Sequence, residues 1–588
     1  MEQELGVFKQ ELRAAAGEIP ADMILEHIKL VDVYTEEVRE ASLAVFNGKI
    51  VAIDPPPGAP CKEKVDGAGR YAVPGFMDAH VHIETTLLTP ESLAEVIVPW
   101  GSTTLFVDAM EIANVAGMNG LLALVRDAEK LPFRIYLEIP SRVPTAPGLE
   151  TAGAVLGLEE VRQLLALSET VSLGELDPSK ITGLRDEYLE KIRAALAGGR
   201  ICNGHAIGLT PSELNMYAAA HLLDDHECVT YEELLARLRV GIKAMVREGS
   251  SERNAEELMR GVIEHGLPTE NLLFCTDDKH VNDIFAEGHI SYNIQKAIGL
   301  GLAPVKAIKI ATINAARHFH LEHLLGSLTP GRYADIVLLD SLYEMRPAVV
   351  FKGGKLVAED LKALPAPPKD YPPELFTTVH IREGLDESAF RIPAAGSCAQ
   401  CRVIALIADQ IINREEHEWM PVEEGEIKAD PNRDILKLAV VERHGKNGRV
   451  GMGLCRGFGL NRGALASSVS HDHHNIVVVG TNERDMLAAV QELARRQGGF
   501  AAACDGEILA SLALPLAGLM SCLPAREVMQ RMDALNGVAR EMGCGLKAPF
   551  MTLSFISLPT VPELGLTDYG LIHVKRHEIT QLILHTGE

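Results

Sequence analysis

Apolar and polar positions divide the chain into stretches of different period. Residues 2–16 have the spacing of a short amphipathic helix. Residues 23–35 and 41–54 read MILEHIKLVDVYT and ASLAVFNGKIVAID. Such runs predict strands, and Asn47-Gly48 inside the second predicts a hairpin turn. A proline-rich turn follows at 55–60. From 73 to about 310 the pattern changes. Strand-like runs at 71–83, 102–110, 133–140, 171–176, 201–207, 224–229 and 271–278 alternate with helical patterns such as 159–168 and 231–248. Alternating strands and helices over roughly 240 residues predict an α/β fold, a (β/α)8 barrel. A doubly wound sheet is the alternative, but no Gly-x-Gly-x-x-Gly follows the first strand. Strand patterns return at 328–340 and 348–357, where they can complete the small sheet begun before 73. The expected division is therefore a helix and part of a small β-sandwich domain in 1–72, the barrel in 73–325, and the remainder of the small domain in 326–362. A proline-rich linker in 363–393 and a C-terminal α+β domain in 394–588 follow, the latter with a strand at 475–481 and a helix at 483–496.

Composition narrows the function. Of the 588 residues, 47% are hydrophobic, enough for large cores and without the signature of disorder. Lysine and arginine number 56 against 81 acidic residues, a net charge of −25, which argues against nucleic acid or an anionic membrane as partner. No 18-residue uncharged apolar run suggests a membrane span, and Met1-Glu2-Gln3-Glu4-Leu5 lacks the basic and apolar regions of a signal peptide. A cytoplasmic protein is expected. The single Cys-x-x-Cys, Cys398 and Cys401, has no second pair at zinc-site spacing and reads as two reduced thiols.

The candidate chemistry starts at His80 and His82, where an apolar run ends in His-x-His. Alternate residues of a strand share a face, so both imidazoles can grip one metal ion. Barrel enzymes carry their catalytic groups at the C-terminal ends of the strands. Glu175, His205, His226 and Asp277 close four later strand candidates. Any one of them alone reads as a buried core histidine, a cap or a turn; the ordered set predicts metal ligands, with Glu175 as the bridge and Asp277 as the proton carrier. The SHDHHNI run at 470–476 reads as a polar turn before a strand, in preference to a third metal site.

Longer stretches carry a resemblance. They include VPGFMDAHVHIETTLLTP at 73–90, GHAIGLTPSELNMYAAA at 204–220 and CTDDKHVNDIFAEGHI at 275–290. GRVGMGLCRGFGLNRGALASSVSHDHHNIVVVGTN at 448–482 and PFMTLSFISLP at 549–559 extend them to the C-terminal region. In these the chain resembles the amidohydrolase superfamily and, within it, the adenine deaminases. The resemblance implies a binuclear enzyme, with Mn2+ or alternatively Fe2+ or Zn2+, that converts adenine and water to hypoxanthine and ammonia. It also implies that Glu175 stands where other members carry a carboxylated lysine. Two positions depart from the family pattern. Met110 stands where a histidine is usual, and Leu176-Asp177-Pro178 follows the glutamate in place of a Met-Asn or Met-Asp run. Asp108 and Glu111 remain as proton carriers or groups that touch the substrate base. The competing readings are a deaminase or cyclic amidohydrolase for another heterocycle, and a metal-binding homologue without catalysis. The expected partner is a small purine, and the expected assembly a homo-oligomer, a dimer or larger.

Overall fold

The two strand-rich flanks of the central region meet in one sheet. The computed structural model describes residues 2–407, 413–560 and 563–587. Five strands between Ala21 and Pro74 and four between Ile336 and Ala363 form a nine-stranded sheet. The seam is an antiparallel pairing of Tyr71–Pro74 with Ile336–Leu339, in which Val73 faces Val337. Asn47 and Gly48 turn the hairpin, at φ of 51° and 75°. Positive φ at both turn positions matches the right-handed twist of the flanking strands. The helix Glu2–Ala15 precedes this sheet.

Inside these flanks lie strands that pair only in parallel. They are β1 (Phe76–Val81), β2 (Ser102–Asp108), β3 (Arg134–Ile139), β4 (Thr170–Leu176), β5 (Ile201–Gly204), β6 (Asp224–Asp225), β7 (Lys243–Arg247) and β8 (Leu272–Cys275). β1 to β5 form a five-stranded sheet and β6 to β8 a three-stranded one. Parallel bridges join the two at both ends, Cys202 to Leu222 and Val81 to Asp277. Every residue of β2 and β4 is buried, as parallel strands covered on both faces require. Asp78 of β1 ties the second seam. It accepts the Thr276 backbone N–H at 3.0 Å and lies 3.2 Å from His289 Nε2.

The strand runs at 224–229 and 328–340 shorten to Asp224–Asp225 and Ile336–Leu339, and one segment changes its kind. The helical pattern at 231–248 is a helix only over Tyr231–Arg239, and the rest contains β7. Thr230 and Glu233 cap the helix start reciprocally, and Gly241, at φ 86°, turns the chain just beyond its end. The helical spacing of apolar residues masks a five-residue strand that a glycine announces.

The C-terminal region builds an eleven-stranded sheet, largely antiparallel, from Ile392–Pro393 to Ile583–Gly587. The helix Glu483–Arg496 packs on it, started by the Asn482 side chain accepting the Asp485 N–H at 2.9 Å. Cys398 and Cys401 sit on one strand three residues apart, so their side chains leave on opposite faces. This region docks on the β/α region. Thr151 donates to Asp568 through its N–H at 3.0 Å and its hydroxyl at 2.6 Å. The Asn475 amide donates to the Thr151 carbonyl at 2.9 Å. Among the described residues no helix is long and apolar enough to cross a membrane.

Candidate metal centre

Five of the eight strand ends deliver groups to a common point, the first of them two. His80, still within β1, and His82, just past its end, bring Nε2 to 3.2 and 3.3 Å from Glu175 Oε1, at the end of β4. His226, in the loop after β6, places Nε2 at 3.3 Å from the same oxygen. His205, after β5, holds Nδ1 at 3.9 Å from it and at 3.3 Å from His226 Nε2. Asp277, after β8, brings Oδ1 within 3.6 Å of His80 Nε2 and 3.4 Å of His82 Nε2. All six sequence-derived ligands are thus neighbours, and donor atoms of His80, Glu175, His226 and Asp277 lie within 4.8 Å of one another.

Several partners escaped the sequence. Glu138, at the buried end of β3, binds His80 Nδ1 at 2.6 Å. Arg142 donates to the outer oxygen of Glu175 by a short bond, leaving Oε1 to face the imidazoles. Arg247, at the end of the unexpected β7, donates to Asp277 Oδ2 at 2.7 Å and to both oxygens of Glu227 at 2.8 and 3.2 Å. Glu227 adds a carboxylate 3.2 Å from His226 and 3.3 Å from His205. Strand alternation points it away from His226, but β6 is two residues long and the chain has already left the sheet. The adjacency of Glu227 to His226 was the only signal available.

Asp108 and Glu111 separate. Asp108 is fully buried and absent from the cavity wall. Its backbone carbonyl accepts the His82 Nδ1 proton at 2.7 Å, and its carboxyl lies against Gly174, where a Cβ would come within 2.1 Å of Oδ2. Glu111, in the first turn of the helix after β2, borders the cavity, with Oε2 3.6 Å from His82 Nδ1. Met110 borders it too. The 470–476 run does form a turn before a strand, yet it is not a solvated one. His471, His473 and His474 are buried, His471 borders the same cavity, and its ring stacks on Phe555 at 4.5 Å. Phe555, Leu558 and Thr560 complete this C-terminal wall. The cavity measures about 60 Å³. A larger one of about 750 Å³, lined by Asp22, Arg134 and Lys352 among others, contains no histidine.

The electrostatics favour a cation at the convergence point. Burial raises Glu175, but Arg142 and the imidazoles override it and hold the carboxyl well below its ordinary value. Burial likewise raises Asp277, and Arg247 with His226 and His82 lowers it to about 2. Burial would lower His80, yet Glu138 and Glu175 hold it well above its ordinary value. His226, lowered by burial and by His80, is carried to about 10 by Glu175 and Glu227. Asp108 is pushed up to about 8 by burial and by Glu175, which outweigh the lowering by His82 and His80. A divalent ion supplies the positive charge that protonated imidazoles otherwise provide, and the mixed nitrogen and carboxylate donors suit a first-row divalent ion. The residues therefore fit a divalent metal centre.

Glu138 fixes which nitrogen His80 presents. Glu138→Gln is expected to weaken metal affinity by about 10–100-fold, read by competition with a chelating dye. Unchanged affinity would remove Glu138 from that task.

Two family models match the chain: the amidohydrolase family over residues 71–357 and the adenine deaminase C-terminal domain over residues 410–578. An adenine deaminase of Desulforamulus reducens is 60% identical over 578 residues, covering 98% of each chain. One of Dehalococcoides mccartyi is 40% identical, covering 97% of this chain and 98% of that protein. One of Methanothrix thermoacetophila is 41% identical, covering 96% and 97%.

Proposed function

We propose, for a chain that belongs to the adenine deaminase family of the amidohydrolases, that it converts adenine and water to hypoxanthine and ammonia. The observation that carries this reading is the meeting of His80, His82, His205 and His226 on one oxygen of Glu175, in a cavity whose far wall is the adenine-deaminase-type C-terminal region.

His80, His82, Glu175, His205, His226 and Asp277 would hold two divalent ions, which we take as Mn2+, with Fe2+ or Zn2+ as alternatives. When bound, such an ion lowers the pKa of water from 15.7 to about 7. The chain's own part is proton transfer. Arg247 fixes Oδ2 of Asp277, so Oδ1 faces the imidazoles as an ionised carboxylate. Asp277 Oδ1 takes a proton from the water that adds to C6 and returns it to the departing amino nitrogen. The water oxygen stays on C6, and the amine leaves as ammonia. Glu111, on the cavity wall, faces the substrate; Asp108 acts through its carbonyl, which orients His82. A cavity of about 60 Å³ is smaller than the roughly 300 Å³ of ordinary ligand sites, so seating a purine requires the cavity to widen.

The reading takes β1 to β8 as a (β/α)8 barrel, supported by their serial pairing and the bridges at both ends. It places the barrel at 73–325, a small β domain in 1–72 and 326–362, a linker at 363–393 and a C-terminal domain at 394–588. We also take the protein as a cytoplasmic homo-oligomer, a dimer or larger, whose mass light scattering measures.

The direct test is ammonia release from adenine by protein loaded with Mn2+, with metal content measured on the same sample. Turnover supports the reading, and metal-loaded protein that releases no ammonia from adenine refutes it. Met110 on the cavity wall favours one second reading, a different ring amine or cyclic amide as substrate. Met110→His is expected to raise adenine turnover if the thioether merely replaces a useful imidazole. Unchanged steady-state rates would mean that the residue does not touch the reaction.

A further inference from the structure

The loop before the strand Ile476–Gly480 carries donors that adenine deamination does not use. We propose that Glu111, His471 and His474 form a further divalent-metal site, separate from the cluster on Glu175 and shared between the β/α region and the C-terminal region. Donor atoms of these three residues lie within 4.8 Å of one another. His471 Nδ1 is 3.4 Å from Glu111 Oε1. Glu111, His471 and His474 are only 1%, 6% and 0% exposed, so bulk water does not solvate them.

Unpaired atoms point to a missing ligand. His474 Nδ1 donates to the Asp472 carbonyl at 2.6 Å, which fixes the tautomer. Its Nε2 therefore carries the lone pair, and that atom is buried without a hydrogen-bond partner. The same device prepares His82, whose Nδ1 donates to the Asp108 carbonyl at 2.7 Å. In metal sites, a carbonyl on one ring nitrogen turns the other toward the ion. The carboxylate oxygens of Glu111 are also buried, and what faces them is imidazole alone, His471 Nδ1 at 3.4 Å and His82 Nδ1 at 3.6 Å. Burying an ionised carboxylate is unfavourable unless a charge or donors meet it. The histidine loop is anchored independently, because Arg443 donates to the His474 carbonyl and the Asn475 amide donates to the Thr151 carbonyl at 2.9 Å.

Two imidazoles and one carboxylate suit Zn2+, Fe2+ or Mn2+ and leave coordination positions open. Because Glu111 and His471 border the cavity, the open side faces it. Occupied, the site takes Glu111 out of the free proton carriers and leaves that work to Asp277.

The experiment strips the full-length protein with a chelator, dialyses it against excess Zn2+, and counts bound ions by plasma mass spectrometry. The wild-type chain is expected to hold about three ions, and His474→Gln about two. His226→Asn is expected to lose ions from the Glu175 cluster yet keep the one that His474→Gln loses. Thermal melting checks that His474→Gln is folded. A wild-type count of two at saturation overturns the proposal whatever the variant does, and so does a folded His474→Gln that still binds three. The count is blind to substrate. Three ions without ammonia from adenine would refute the deaminase reading and leave this site standing.

Discussion

Asp277→Asn is expected to lower kcat for adenine by about 10²–10⁴-fold, the usual contribution of a positioned acid–base group. The fold should survive the change. Arg247, the partner of Asp277, keeps both oxygens of Glu227 at 2.8 and 3.2 Å, so no buried cation loses all its counter-charge. Metal content should stay near that of the wild type, because Glu175 and the imidazoles remain and the amide is isosteric. Steady-state rates with ion counts on the same preparation make the check. Near-normal kcat would exclude Asp277 from proton transfer. Loss of both metal and rate would make it a ligand first.

Glu175→Gln should act on the ions themselves. Glu175 Oε1 is the atom on which four imidazoles converge, and its other oxygen neutralises Arg142. A neutral amide removes the shared charge from the centre, so metal content is expected to fall by half or more. It also leaves Arg142 with Asp472 at 3.7 Å, and the charge of Asp177, as counter-charges. Breaking a buried ion pair from one side costs about 3–5 kcal/mol, and Asp472 should hold the loss near the lower figure. Ion counting and denaturant unfolding of the metal-free protein separate the two effects. Wild-type metal content would take Glu175 out of the bridge, while wild-type stability would mean that Asp472 and Asp177 suffice for Arg142.

Local signals carried much of this protein. The alternation of apolar residues, the Asn47-Gly48 turn and the helix at 483–496 are written in neighbouring residues, and the structure has them there. The candidate ligand positions were legible for the same reason: an apolar run that ends in His, Glu or Asp is a local event, and parallel strands bring their C-terminal ends to one side. His80, His82, Glu175, His205, His226 and Asp277 therefore came together from the order of strands alone. Local reading failed where two periods competed, at 231–248, and the hidden strand took Arg247 with it.

What only the tertiary structure decided is how these groups are held and what closes over them. Glu138 reaches His80 across 58 positions, and Glu111 meets His471 across 360. No periodicity relates residues so far apart, because their contact depends on how whole sheets pack. The C-terminal region docks through Thr151, Asn475 and Asp568, and that docking turns an apparent polar turn into a wall of the cavity. Burial then sets the chemistry: the same carboxyl group is held ionised beside Arg247 at Asp277 and pushed up to about 8 at Asp108, where burial and Glu175 outweigh the imidazoles. Sequence fixes which groups a strand end can offer, while their charge and orientation depend on neighbours that only folding supplies.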